Sequence, residues 1–305
     1  MQTKTTILYT LASFSTLLLL AFIVFVAFYE VYKGQKSFTW ASVATPFNIL
    51  SLIGITSSIG YNLLEALASR VEFDKPQMKK YRLGASVFEA VWAISYLYFS
   101  WIRAEKQIQS IFPKTFRVIR ALFNWSPVLV SLPTVLVAVQ VFVAIGGGGG
   151  GGVTEEEGLF EHLQSWSSVS GAATFILLDC VFLFSFTRYL THTQVEEDSP
   201  IDPRFLIISR YGCGASGLCL VLLSFSIAFS VTVETNGSML VALGLGMVSA
   251  VLAPLVYFVL FCMKIALWNQ SSRELEVARA RLKKAKMESD ATIFVPNTDK
   301  FYFSV

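Results

Sequence analysis

Apolar residues in this chain neither alternate nor form a single narrow stripe. They come in seven long blocks, at about 6–29, 41–67, 83–102, 127–145, 167–188, 207–231 and 238–267. A helix rising 1.5 Å per residue needs roughly 20 mostly apolar residues to cross a hydrocarbon layer about 30 Å thick. In lipid each such block has to be helical, because a backbone amide without a partner there costs several kcal/mol. The pattern therefore predicts an all-α, polytopic integral membrane protein. Residues 1–268 form a seven-transmembrane-helix bundle, and residues 269–305 form a basic cytosolic tail with a juxtamembrane amphipathic helix at about 272–288. The first block, Ile7 to Phe28, has no small-residue cleavage site behind it and exceeds the roughly 7–15 apolar residues of a signal peptide, so it reads as a retained span. Pro46 and Asn48 interrupt the start of the second block, and Glu89 in the third is tolerable only if it faces other helices.

Composition sharpens the class. Of 305 residues, 54% are hydrophobic and 15% charged, with a mean hydropathy of +0.59, against about 25% charged in an ordinary soluble domain. A soluble enzyme is excluded, and the seven blocks leave no room for a catalytic ectodomain. A formal net charge of +3 argues against nucleic acid as a partner. Cys180, Cys213, Cys219 and Cys262 all lie inside apolar blocks and read as buried thiols rather than disulfides or metal ligands. No metal or cofactor is expected.

Orientation follows from the basic residues. With the N-terminus outside, the cytosolic side receives two Lys or Arg from the first loop, five from the third, three from the fifth and eight from Lys264 onward, eighteen of the 24 in all. The positive-inside rule then favours an outer or lumenal N-terminus and a cytosolic C-terminus, in the plasma membrane or an endomembrane. The second loop, with Arg70, Lys75, Lys79, Lys80 and Arg82, is the misfit. A six-span rival, in which the Glu89 block does not cross, would remove it. Of the sequons at Asn124, Asn236 and Asn269, only Asn236 falls outside, so it is the possible glycosylation site. The Gly-rich loop 146–158 reads as an extracellular tether, with Glu161–Trp166 as an interfacial turn.

Polar residues inside spans are the best candidates for chemistry, because each is expensive there. Asp179 sits mid-span in the fifth block, Glu89 in the outer third of the third, and Asn62 and Glu65 at the outer end of the second. Ser51, Ser58 and Ser69 share a helical face with Asn62 and Glu65. Asp179, Glu89, Asn62 and Glu65 are the candidates to line an outward-opening cavity for a polar or cationic ligand, or a protonatable path. The alternative is that Asp179 is neutral or bonds a hydroxyl on a neighbouring helix and that Glu65 reaches the outer headgroups, the reading preferred for Glu65. Gly214-Ala215-Ser216-Gly217 matches the Gly-x-Ser-Gly pattern of intramembrane serine proteases, but His162 and His192 both lie in loops upstream, so the small residues read as packing. Gly244-x-Gly246 lacks the Asp of an intramembrane aspartyl protease, and the Gly246, Ala250, Pro254 face reads as a packing face. Lys264 lies too near the cytosolic end for a retinal Schiff base and is expected to snorkel.

The span count and orientation resemble the layout of G-protein-coupled receptors. Pro254-Leu255-Val256-Tyr257 is similar to the end of their Asn-Pro-x-x-Tyr motif, with Ala253 in place of the Asn. Ser100-Trp101-Ile102-Arg103 stands where those receptors carry Asp-Arg-Tyr, so the likeness is one of layout. In the tail, Ser271 and Glu274 fit a capping box that would start a separate helix. Arg279, Arg281, Lys283, Lys284 and Lys286 would place that helix on anionic inner-leaflet lipids or against a cytosolic signalling partner, with Arg103 contributing from the third loop. No catalytic set is present, so the chain is not expected to be an enzyme. It reads as a receptor-like or sensor protein; the alternatives are a solute, cation or proton transporter using the intramembrane carboxylates, and a non-signalling scaffold. Single cysteines placed in the second loop of the seven-span arrangement should react with an impermeant maleimide on intact cells; labelling only after permeabilisation would overturn it.

Overall fold

The computed structural model describes residues 2–33, 43–71, 75–146, 155–196, 203–234 and 239–293. Among them the chain is helical with no strand, and seven helices are long and apolar enough to cross a membrane. Helix α1 spans Gln2–Val24 and continues in wider π-helical turns over Phe25–Lys33. It is followed by α2 (Pro46–Arg70), α3 (Lys75–Ile111), α4 (Phe116–Gly146), α5 (Glu155–Glu196), α6 (Pro203–Glu234) and α7 (Met239–Ile293).

The two polar interruptions of the second block are its start signal. The Thr45 side chain accepts from the Asn48 amide, and Pro46 occupies the first turn, where its missing N–H costs nothing. At the other end of the block, α3 begins at Lys75 rather than near 83, so the basic residues 75–82 are helical. Residues 155–158, expected in the Gly-rich loop, and Glu161–Trp166 are likewise helical, inside α5, and form neither tether nor separate turn. The glycines 147–152 and Asn236 lie outside the described residues.

Successive helices run antiparallel in a ring. Lys4 and Ser15 of α1 meet Glu65 and Ser58 of α2, Thr134 of α4 meets Ser86 of α3, and Ser226 of α6 meets Ser249 of α7. α1 and α7 run parallel and close the ring through Phe14–Phe258, Phe22–Phe261 and Phe25–Trp268. α3 is the central helix, packed on α2, α4 and α5. An odd number of alternating helices leaves the start of α1 and the end of α7 at opposite ends of the bundle, here the N-terminal end and the basic end.

The longest helix departs from expectation. α7 runs without a break through Ser271 and Glu274, so these do not cap a new helix, and at 1.5 Å per residue the rod is about 80 Å long. Glu274 instead pairs with Arg204 at the start of α6 and accepts from Gln270 at 3.2 Å. Beyond it Leu275, Val277, Leu282 and Met287 are exposed. Lys264 does not snorkel either: it is buried, donates to Asn48 Oδ1, and stands 5.1 Å from the ring of Phe22 and 4.8 Å from that of Phe47. The negative ring faces and the amide oxygen replace water around the ammonium. All four cysteines are unpaired, and only Cys219 is buried; Cys180 and Cys213 are exposed on the protein surface.

One glycine controls how α7 docks. A Cβ on Gly54 would lie 1.8 Å from Cζ of Tyr257, so the phenol occupies the space a side chain would fill. Its hydroxyl there bonds Ser95 of α3 at 2.5 Å. Overpacking a buried contact costs about 1–3 kcal/mol, so Gly54→Val should lower the melting temperature of the detergent-solubilised protein by several degrees, with partial recovery in Gly54→Val/Tyr257→Ala. An unchanged melting temperature would contradict this packing.

Candidate functional site

The site is organised by one face of α3. Val87, Val91, Tyr98 and Ile102 form its outward stripe, between 37% and 51% exposed. At 3.6 residues per turn, Glu89, Tyr96 and Arg103 recur every seven residues on the opposite side, each about 10 Å further along the axis. They define three levels from the N-terminal end to the basic end.

The middle level is a closed polar knot. Asp179 of α5 has no exposed surface, and its Oδ1 accepts the Tyr96 hydroxyl and the Ser216 hydroxyl, each at 3.0 Å. One carboxyl thus joins α3, α5 and α6. Tyr96 is held by stacking, with Trp92 at 6.2 Å on one side and Phe175 at 5.5 Å on the other. Oδ2 of Asp179 has no protein partner.

Toward the basic end, the Arg103 guanidinium lies over the rings of Phe99 and Phe186, at 4.6 and 5.8 Å. Its Nη1 donates to Sδ of Met263 at 3.3 Å, and its charge attracts the Asp179 carboxylate. A cavity of about 10 Å³ separates this level from the knot, with Ser100, Arg103, Ser209, Gly212, Cys213 and Ser216 on its wall. Arg103 is therefore part of the interior and not a cytosolic surface residue.

Toward the N-terminal end, Glu89 stands on the same side of α3 as Tyr96 and Arg103 and is exposed. The ionisable groups that act on it are Glu65 and the Tyr61 phenol, both of α2.

The stripe on α2 behaves differently from expectation. Ser51, Ser58 and Asn62 are buried on one face, but Ser58 meets Ser15 of α1, and the Asn62 amide nitrogen bonds the Ser58 carbonyl at 2.9 Å. This face holds α1 in place and lines no shared opening with Asp179. Glu65 forms a 3.0 Å ion pair with Lys4, each about a quarter exposed, which ties α1 to α2 at the N-terminal end. Arg279, Arg281, Lys283, Lys284 and Lys286 are exposed on the α7 rod, far along the chain from the knot.

Residues that sequence reasoning passed over carry much of the site. Ser216 was read as part of a packing motif. Ala215 is buried and a Cβ on Gly214 would meet Val259 of α7 at 3.8 Å, as packing requires, whereas Gly217 faces open space and the Ser216 hydroxyl serves Asp179. The available signal was depth: Ser216 and Tyr96 lie near the middles of their apolar blocks, as Asp179 does. No family model, curated protein or solved structure matches the chain.

Each donor to Asp179 should matter. Losing one partner of a buried charged group costs about 1–3 kcal/mol, and groups sharing an acceptor couple by about 0.5 kcal/mol or more. Tyr96→Phe and Ser216→Ala should each destabilise the protein in bicelle unfolding, and the double variant should depart from the sum. Strict additivity would mean that the two hydroxyls do not share the carboxyl.

Proposed function

We propose that the chain is a seven-span membrane protein, N-terminus outside and C-terminus cytosolic, that works as a receptor-like sensor. A cationic or polar ligand enters from the outer face beside Glu89 and shifts the Tyr96–Asp179–Ser216 knot beneath it. The observation that carries this reading is the exposed Glu89 carboxylate on the same side of α3 as the closed polar knot.

Transmission to the other side is supported by α7. Tyr257 bonds Ser95, the neighbour of Tyr96, and from there α7 continues unbroken to the tail. A small displacement at the knot reaches Arg279, Arg281 and the three tail lysines through one rigid rod. Those exposed basic residues suit anionic inner-leaflet lipids or an acidic face of a cytosolic signalling partner. The ligand has to favour one packing of the knot over the other, since only unequal affinity moves such an equilibrium.

A second reading, transport of a cation or proton, is favoured by the order of groups along α3: carboxylate, carboxyl knot, cavity. The two readings differ in one measurable respect. In proteoliposomes, sensing predicts no flux of protons, sodium or potassium. It also predicts that a fluorophore at Leu282→Cys responds to at least one of a panel of organic amines, and that Glu89→Gln abolishes the response. Cation flux that disappears in Asp179→Asn would replace sensing by transport, and indifference in both assays would leave a scaffold.

A further inference from the structure

The bonding at Asp179 is one-sided. Both hydroxyl donors go to Oδ1, and Oδ2, in a residue without exposed surface, has no protein partner. A carboxylate buried with one oxygen undonated is stabilised by taking up a proton. Two further buried polar atoms without partners, Ser100 Oγ and Arg103 Nε, belong to the wall of the small cavity on the basic side of Ser216. Its volume of about 10 Å³ matches the roughly 10–15 Å³ that one water requires, and a buried water wants two to four polar partners. Phe182, Leu183 and Phe186 close the rest of the wall.

We propose that this cavity is a one-water port through which Asp179 exchanges a proton with the basic end of the bundle by way of Ser216, which lines the cavity and whose hydroxyl donates to Oδ1. On uptake, hydronium in the port gives one proton to Ser216 Oγ while that hydroxyl passes its own proton to Oδ1, and the carboxylate becomes a neutral carboxyl. On release the same relay runs backwards, from Oδ1 through Ser216 to that water, and no electrons move. Arg103 makes both states tolerable: the ionised carboxylate is balanced by the guanidinium, and when the carboxyl is neutral the guanidinium keeps the faces of Phe99 and Phe186. Among the described residues, the other ionisable groups acting on this pair are Tyr96 of α3 and Cys219 and Cys213 of α6. The inference rests on the buried knot and holds whether the knot serves sensing or transport.

The test uses the full chain in lipid nanodiscs and neither ligand nor flux. Infrared difference spectra of wild type against Asp179→Asn isolate the C=O band of the protonated carboxyl. That band should vanish as pH rises and should shift in D₂O. Ser209→Phe, which fills the port, should slow the shift at least tenfold, whereas Glu89→Gln should leave it unchanged. If Ser209→Phe does not fold, Cys213 supplies a reversible stopper in a Cys180→Ser/Cys262→Ser background. Its thiolate attacks methyl methanethiosulfonate, an S–S bond forms and methanesulfinate leaves; exchange should slow and recover on reduction. Three results would overturn the port: no titrating carboxyl band, exchange indifferent to both fillers, or exchange slowed by Glu89→Gln instead.

Discussion

Taking a carboxyl out of water costs far more than a single ordinary hydrogen bond returns, so Asp179 can stand inside the bundle only where other helices bring donors and a compensating charge. That requirement registers the middle of the molecule. Tyr96 has to point from α3 at one height, Ser216 from α6 at the same height, and the stacking of Trp92, Tyr96 and Phe175 keeps the phenol there. One residue before Tyr96, Ser95 receives Tyr257 of α7, which in turn fits the gap left by Gly54 of α2. Five of the seven helices thus meet at one level. Their longitudinal alignment depends on hydrogen bonds, since in lipid apolar contact alone distinguishes one sliding position from another only weakly.

The basic end is closed by a different device. Arg103 lies over Phe99, Phe99 packs edge-on against Phe47 at 4.9 Å, and Phe47 faces Lys264. Two cations from α3 and α7 therefore bracket a layer of aromatic rings. Each ring contact contributes about 0.5–2 kcal/mol when desolvated. Asn48, held in position by the Val43 carbonyl and the Thr45 cap, gives Lys264 its neutral oxygen acceptor. Burial of the ammonium in this way joins α1, α2 and α7 below the knot, close to where α7 leaves the bundle as an exposed rod.

The three levels on α3 combine into a molecule with access above, a seal in the middle and a confined polar space below. Such an arrangement is suited to two discrete states, because a polar knot whose donors are shared either keeps its geometry or exchanges it for another; intermediate positions leave buried polar atoms bare. In the proposed reading, the uninterrupted α7 would give such states a mechanical outlet.

How much of this was legible beforehand depends on range. The seven apolar helices and the mid-span position of Asp179 could be read from the chain, because block length and the cost of polar groups in an apolar medium are local properties. The capping box at Ser271 and Glu274 misled because the same residues serve an ion pair with Arg204, seventy positions away. Lys264 misled because snorkelling is the default only when no aromatic box exists, and the box is assembled from Phe22, Phe25 and Phe47 of two other helices. The α2 stripe shares a face as its spacing implied, but which helix covers that face is decided by where α1 lies. The amino-acid order alone thus determined the number and alternation of the apolar helices, though not how far each extends beyond its apolar block. Which polar side chains become partners was decided only by the packed bundle, because a hydrogen bond needs two atoms within about 3 Å, and residues far apart in sequence come that close only through the tertiary fold.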